Sequence, residues 1–506
     1  MSAKTIMVQG TGSYVGKSVI AAALCRIFTQ EGLRVAPFKS QNMALNSWVT
    51  ADGGEMGRAQ VFQAKAAKVA PSIDMNPILL KPTSDVGAQV VVQGKAIGNL
   101  TAEEYHRRKP ELMGLVQAAF DRLSDRSDLI VIEGAGSPAE VNLRANDIVN
   151  MPIAHMANAP VLLVGNIDVG GIFAQIVGTL DLLDAVDRDR VKGIIVNKFR
   201  GDLSLFEDGV DFLEKRTGLP VLGVIPYFTD IPVEEEDSLA PERARHRRAS
   251  AQADQLDIAV VFLPHISNFT DFDALEVEPD TLVRFVRHAE ELDGTDCIIL
   301  PGSKSTIADL RRIREAGIAD RIVGAARAGV PIFGVCGGYQ MLGRVIRDPS
   351  CTEADVQEVR GLGLLDVETE FVSEKVTTQS RASIIGGGEF FDGYDGPELE
   401  GYEIHMGESA IGDGVRPALE ITQRQGESVS VSDGAVSADG RVFGCYLHGL
   451  FDNAEFRRHF LNVLRRRKGL LPLDAATEVG EDSIDRLAEH VRQSLNMPIL
   501  REIVGL

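Results

Sequence analysis

The apolar run Thr5-Ile6-Met7-Val8-Gln9 is followed at once by Gly10-Thr11-Gly12-Ser13-Tyr14-Val15-Gly16-Lys17-Ser18, and then by a helical pattern through about Glu31. A buried strand, a glycine-rich turn and a helix opening on Gly-Lys-Ser restrict the fold strongly. The order belongs to parallel α/β sheets, and the turn offers backbone N–H groups to phosphates. Lys17 can reach a terminal phosphate and Ser18 can ligate Mg²⁺. The first glycine, Gly10, and the Thr at position 11 shift the spacing by one residue from the standard phosphate-binding loop. Gly12, Gly16, Lys17 and Ser18 are the nucleotide-binding candidates.

Further strands extend this sheet. Arg34-Val35-Ala36-Pro37-Phe38 leads into a polar loop from Lys39 to Ser47, where strand ends meet and ligands bind in open α/β sheets. Lys39 is a candidate there. Asp52, Glu55 and Arg58 follow, and the two carboxylates are candidates for a metal. Asp128-Leu129-Ile130-Val131-Ile132-Glu133 is an apolar strand ending in a carboxylate, which places Glu133 to hold Mg²⁺ opposite Ser18. Strands recur at Val161–Val164, Gly193–Val196 and Pro220–Pro226 between helical patterns, as in a sheet wrapped by helices.

A chain of 506 residues is too long for one core. The composition changes over Glu234 to Gln255, where acidic and basic runs replace apolar residues, and a linker is expected there. The expected organisation is a nucleotide-dependent domain over 1–233, a linker over 234–255, a second α/β domain over 256–455 and a helical extension over 456–506. The net charge of −21 disfavours nucleic acid as a partner. No apolar run has bilayer-spanning length, and Met1-Ser2-Ala3-Lys4 passes straight into a strand pattern without a signal-peptide profile. The five cysteines show no paired spacing, which argues for a reducing cytoplasm rather than a disulfide framework.

The second α/β pattern starts at Leu256 and contains Phe333-Gly334-Val335-Cys336-Gly337-Gly338. A G-x-C-x-G between strand and helix has the form of a nucleophile elbow, here lifting a thiol clear of the sheet. A nucleophilic thiol needs a base and oxyanion donors. The N–H groups of Gly337 and of Gly302, in the turn after the strand Cys297–Leu300, are donor candidates. His448, between an apolar strand and a glycine, is the candidate base, and His405 is read as structural or substrate-contacting. The other cysteines lack a glycine-flanked turn and read as inert small hydrophobes.

Cys336 in Gly-Val-Cys-Gly-Gly and His448 in Tyr-Leu-His-Gly-Leu-Phe resemble a flavodoxin-like class I glutamine amidotransferase domain. The loop at 10–18, with Ile-Glu-Gly-Ala-Gly at 132–136, resembles the dethiobiotin-synthetase type of P-loop fold. Joined in this order, the two resemble the cobalamin-pathway glutamine-dependent amidases. Lys39–Ser47, Gly54-Glu55-Met56-Gly57-Arg58-Ala59-Gln60 and Met75-Asn76-Pro77-Ile78-Leu79-Leu80-Lys81-Pro82 are similar to the cobyric acid synthase branch of that family.

The resemblance implies ATP- and glutamine-dependent amidation of the b, d, e and g carboxylates of adenosylcobyrinic acid a,c-diamide, with ATP and Mg²⁺ as cofactors. It also implies an adenine contact from Asn197 and a corrin-carboxylate role for Asp147 and Lys39. Class I amidotransferases carry a Glu two residues after the catalytic His, and here that position is Leu450. A Cys–His dyad is therefore expected, with a third member absent or supplied from elsewhere, Glu403 being one source. Arg58, Lys81, Arg144 and Arg200 are expected to form a basic rim for the polycarboxylate. Competing readings are the cobyrinic acid a,c-diamide synthase reaction, a ParA-like ATPase switch that leaves Cys336 unused, and a free-standing glutaminase that leaves Lys17 unused.

Overall fold

The computed structural model describes residues 3–84, 87–228, 231, 252–354, 356–474 and 481–506. The chain divides into two compact units. Unit 1 comprises Met1–Met43, Met56–Glu234 and Gly480–Leu506, and unit 2 comprises Ala44–Glu55 and Glu235–Val479.

Unit 1 is organised by six parallel strands: β1 (Lys4–Gly10), β2 (Val35–Phe38), β3 (Leu129–Glu133), β4 (Val161–Asn166), β5 (Val191–Phe199) and β6 (Val221–Pro226). Their order across the sheet is β6-β5-β4-β1-β3-β2. All residues of β3 and β4 are buried, as expected for apolar runs covered by helices on both faces. β1 lies between β4 and β3, where the chain order reverses, so the loops leaving β1 and β3 open on the crevice that binds ligands in such sheets. The helix Lys17–Gln30 follows the β1 loop and buries Ile20, Leu24 and Phe28. Strands Gln41–Met43, Ile78–Ser84, Gly87–Val92 and Lys95–Thr101 form a second sheet of this unit.

Unit 2 has a sheet of seven strands: β7 (Leu256–Val261), β8 (Thr281–Val286), β9 (Cys297–Leu300), β10 (Ile332–Val335), β11 (Val415–Arg416), β12 (Ala435–Ser437) and β13 (Val442–Cys445). The order is β8-β7-β9-β10-β13-β12-β11. The first five are parallel, and β12 and β11 close the edge antiparallel. The C-terminal ends of β9, β10 and β13 therefore emerge side by side. Cys336 follows β10, Gly302 follows β9 and His448 follows β13. A largely antiparallel sheet with long strands Val367–Ile384 and Leu399–Ile411 completes the unit. Among the described residues, no helix is long and apolar enough to cross a membrane.

The units differ from the expected boundaries in two places. Ala44–Glu55 belongs with unit 2 although it interrupts unit 1 in sequence. The stretch expected as one C-terminal extension is split. Helix Ala454–Lys468 buries Phe456, Phe460 and Leu464 in the core of unit 2, whereas helix Glu481–Ser494 sends Ile484, Leu487 and Val491 into the core of unit 1 beside Ile20, Leu24 and Phe28. Two apolar stripes at helical spacing look alike in sequence, and only the surface each one covers separates them. The expected linker lies, as far as residue 251, outside the described residues.

Candidate functional site

In unit 1 the β1 loop carries its strain at Tyr14 (φ 60°) and Gly16 (φ 99°). A Cβ on Gly16 would lie 2.1 Å from Asn197 Nδ2, so only glycine fits there. Asn197 Nδ2 donates to the Val15 carbonyl (2.8 Å) and Lys198 Nζ to the Tyr14 carbonyl (2.9 Å), so the end of β5 braces the loop. Lys17 Nζ donates to the carbonyls of Gly12 (2.8 Å) and Gly136 (3.2 Å), bridging the loops after β1 and β3. Glu133, at the end of β3, collects three donors. Ser18 Oγ and Lys39 Nζ lie 2.8 Å and 2.9 Å from Oε1, and Gln63 Nε2 donates to Oε2 at 2.6 Å. Lys39 and Glu133 are both buried. A buried carboxylate and a hydroxyl at this spacing are the hard oxygen donors that Mg²⁺ takes, and the Lys39 ammonium pairs with that carboxylate.

The other candidates of the first half are distributed differently. Asp52 and Glu55 fall within unit 2. There Thr50 Oγ1 donates to Asp52, and Glu55 forms a buried ion pair with Lys375 (2.5 Å). Among the described residues no group of three or more His, Cys, Asp or Glu could hold a metal. Asp147 Oδ1 accepts the N–H groups of Val149 (2.7 Å) and Asn150 (3.2 Å), and burial raises its pKa against those bonds and against Lys109. Of the expected basic rim, Arg58 and Lys81 are buried, Arg144 pairs with Asp187 (3.1 Å), and Arg200 pairs with Asp168 (2.7 Å) over the Tyr227 ring. The charges of Arg144 and Arg200 are thus met locally by carboxylates.

In unit 2, Cys336 stands at φ 51°, ψ −109°, a conformation that non-glycine residues rarely adopt and that an elbow requires. Flanking glycines make the turn possible: a Cβ on Gly338 would lie 2.0 Å from the Leu300 carbonyl oxygen. The Cys336 N–H donates to the Cys445 carbonyl (2.8 Å), and its thiol to that of Ile404 (3.5 Å). Gly337 faces the β9 turn, because a Cβ there would meet Ser303 N at 2.9 Å. A Cβ on Gly302 would meet His448 Cε1 at 3.3 Å, so Gly302, Gly337 and His448 converge on Cys336.

The partner of His448 is Asp271, not Glu403. His448 Nδ1 and Asp271 Oδ2 are 2.7 Å apart, and both side chains are buried. The Gly449 N–H donates to Asp271 Oδ1 (3.2 Å), and the Tyr402 hydroxyl lies 3.5 Å from the same oxygen. Burial pulls the imidazole pKa down, but the Asp271 carboxylate and then the Cys336 thiol outweigh it and raise it to about 10. His448 is thus held as an imidazolium, with Nε2 buried and without a hydrogen-bond partner among the described residues. Glu403 is occupied elsewhere. Arg424 grips it with two bonds (2.7 and 2.9 Å), Ser380 Oγ donates to it (2.6 Å), and its pKa is lowered to about 2: burial opposes the shift, while His405, Arg424 and Ser380 drive it. His405 stacks on Tyr446 (3.9 Å between centroids) and bonds the Gly407 carbonyl. Asp271 had a sequence signal in Asn268-Phe269-Thr270-Asp271, a polar run just beyond strand β7 at the same end of the sheet.

One unit thus presents a phosphate-binding loop beside a buried carboxylate, and the other presents a thiol beside an imidazolium–carboxylate pair. Comparison with known proteins gives the same division. Residues 6–240 match the CobQ/CobB/MinD/ParA nucleotide binding domain, and residues 257–456 match the CobB/CobQ-like glutamine amidotransferase domain. A crystal structure of a glutamine amidotransferase matches 41% of this chain and 98% of that chain at 20% identity, with a TM-score of 0.31. The class is a two-unit protein that joins a nucleotide-binding domain to a glutamine amidotransferase domain.

Cobyric acid synthases resemble the whole chain. That of Moorella thermoacetica is 52% identical over 100% of this chain and 98% of its own length. Those of Pelotomaculum thermopropionicum and Photorhabdus laumondii subsp. laumondii are 50% and 51% identical, over 100% and 97% of this chain and 97% and 96% of theirs. The chain belongs to the cobyric acid synthase family.

Proposed function

We propose that this chain is a glutamine-hydrolysing carbon–nitrogen ligase of adenosylcobalamin biosynthesis. It amidates the b, d, e and g carboxylates of adenosylcobyrinic acid a,c-diamide, using one ATP and one glutamine per amide. The observation that carries the reading is the pairing, in one chain, of the Lys17–Ser18–Glu133 cluster with the Cys336–His448–Asp271 site.

A carboxylate resists attack by ammonia, so unit 1 first makes it an acyl phosphate. A carboxylate oxygen takes the γ-phosphoryl group of ATP and ADP leaves. The amides of the β1 loop cradle the phosphates, and Lys17 balances the charge on the moving group. Ser18 and Glu133 would hold Mg²⁺, which supplies further positive charge to the phosphates when bound. Lys39 and Asp147, near the ends of the same strands, are assigned to the substrate carboxylate, and Asn197 to the adenine side of the loop.

Unit 2 makes the ammonia. Cys336 attacks the side-chain amide carbon of glutamine as the thiolate whose proton His448 has taken, the C–N bond breaks as the C–S bond forms, and the N–H groups of Gly337 and Gly302 receive the oxyanion. Imidazolium His448, oriented by Asp271, gives its proton to the leaving nitrogen. Water, deprotonated by His448, then cleaves the thioester to glutamate and free thiol. Ammonia displaces phosphate from the acyl phosphate and leaves the amide. The chemistry fits a cytoplasmic enzyme with small-molecule partners.

Cys336→Ala tests the reading. Amidation with glutamine should fall to background, while ammonium salts should restore it. Failure of ammonium to rescue a folded variant would sink the two-site scheme. Counting the amides added to partially amidated corrins by mass separates this reaction from a,c-diamide synthesis.

A further inference from the structure

Ala44–Glu55 lies more than two hundred residues before the amidotransferase residues in sequence, yet it packs within their unit. Asn46 Oδ1 accepts the N–H of Phe269 and Asn268 Oδ1 accepts the N–H of Ser47, each at 3.0 Å. This reciprocal clasp grips the turn that presents Asp271. Asn268 itself stands at φ 52°, a conformation Asn tolerates and one that a clasp on both sides holds in place.

The ring of Trp48 packs on Tyr402 (4.6 Å between centroids). Tyr402 lies parallel to His448 (5.2 Å, 11°), and the two exchange backbone hydrogen bonds of 3.2 and 2.9 Å. The segment is pinned further along, where Gln379 Nε2 donates to the Val49 carbonyl (2.9 Å) and Lys375 pairs with Glu55. Both members of the His448–Asp271 pair are thus backed by the same short segment, through Tyr402 on one side and Asn268 on the other.

We propose that Asn46 and Trp48 are positioning residues of the glutaminase centre, holding Asp271 and His448 in register and keeping water from the pair. The proposal rests on the amidotransferase reading of unit 2. An ion pair in a dry site weakens steeply when water enters or when the partners slip, and a small misplacement of a catalytic group costs one to two orders of magnitude in rate. Trp48 is the single tryptophan of the chain. Its ring meets Tyr402 at a tilt of 57°.

The test uses the full chain carrying Trp48→Ala, Trp48→Phe or Asn46→Ala, assayed for glutaminase with ATP and corrin present. The imidazole of His448 is titrated by NMR on ¹³C-histidine protein and assigned with His448→Gln. Trp48→Ala should lower glutaminase kcat by about tenfold to a hundredfold while KM for glutamine stays near its starting value. The His448 titration should move below that of the parent in Trp48→Ala and in Asn46→Ala. Trp48→Phe should restore both readouts, and ammonium-supported synthesis by Trp48→Ala should match the parent.

Unchanged kcat and titration overturn the proposal. So does a loss of kcat with an unmoved titration, or a parallel loss of ammonium-supported synthesis, since each assigns the residue to bulk packing. If the parent hydrolyses no glutamine, the reading of unit 2 fails, while the His448 titration still decides whether the segment sets the pair.

Discussion

The Asp271 carboxylate raises the His448 pKa to about 10 against the pull of burial, and that single contact has consequences for rate and stability. Asp271→Asn removes the carboxylate while keeping the shape. Glutaminase kcat should fall by up to about 10⁴-fold, the loss seen when the orienting acid of a catalytic triad becomes an amide, with ammonium-supported synthesis retained. Steady-state assays with each nitrogen source check this. The sign of the pH effect follows from a folded-state pKa raised from 6.5 to about 10. Stabilisation by the pair is complete below about pH 6.5 and is lost as pH rises toward 10. The stability difference between the parent and Asp271→Asn should therefore be largest near pH 6 and should shrink steadily up to pH 10. Denaturant melts of unit 2 at several pH values measure it; a gap that widens with pH would contradict the assignment.

At the scale of elements, each site depends on a turn that only glycine can make. Gly16→Ala adds a methyl group where φ is 99° and where Asn197 Nδ2 would be 2.1 Å away. The β1 loop must deform, so amidation should be lost with either nitrogen source while glutamine hydrolysis continues. Gly338→Ala would push a methyl group to 2.0 Å from the Leu300 carbonyl, in backbone that cannot rotate away. That should destabilise unit 2 by at least about 1–3 kcal/mol and abolish glutaminase first, as read by thermal melts and activity together. These turns were legible in the sequence because strand, glycine and helix follow one another within a few residues. Asp271 was not paired with His448 in advance, because they are 177 residues apart and meet only when β7 and β13 are assembled in one sheet. The position two residues after His448 holds Leu450, which is buried, so the orienting carboxylate comes from another loop at the same sheet end.

For the whole molecule, the parts that sequence order concealed are the exchanged segments. Alternating apolar patterns announced two α/β sheets, but a contiguous reading cannot show a chain that leaves a unit and returns to it. Ala44–Glu55 is too short to form a core of its own and announces its destination only through contacts such as the Asn46–Asn268 clasp. The C-terminal helices announce an apolar stripe but not its partner. Their dependence on unit 1 is testable with Leu487→Ala, which empties a fully buried site beside Leu24 and Phe28. It should cost about 2–5 kcal/mol and lower the melting of the nucleotide-binding unit, leaving glutaminase to survive at temperatures where amidation has gone. Equal loss of both activities on heating would count against this division.

That return of the chain has a consequence for how the protein is made. A ribosome completes the nucleotide-binding sheet early, but the helices that close its core, Glu481–Ser494 and Met497–Val504, are synthesised only after all of unit 2. The first sheet must therefore wait, with Ile20 and Leu24 uncovered on one side, while the amidotransferase is translated. Until those two helices are made, a growing chain holds a finished source of ammonia and an unfinished consumer of it.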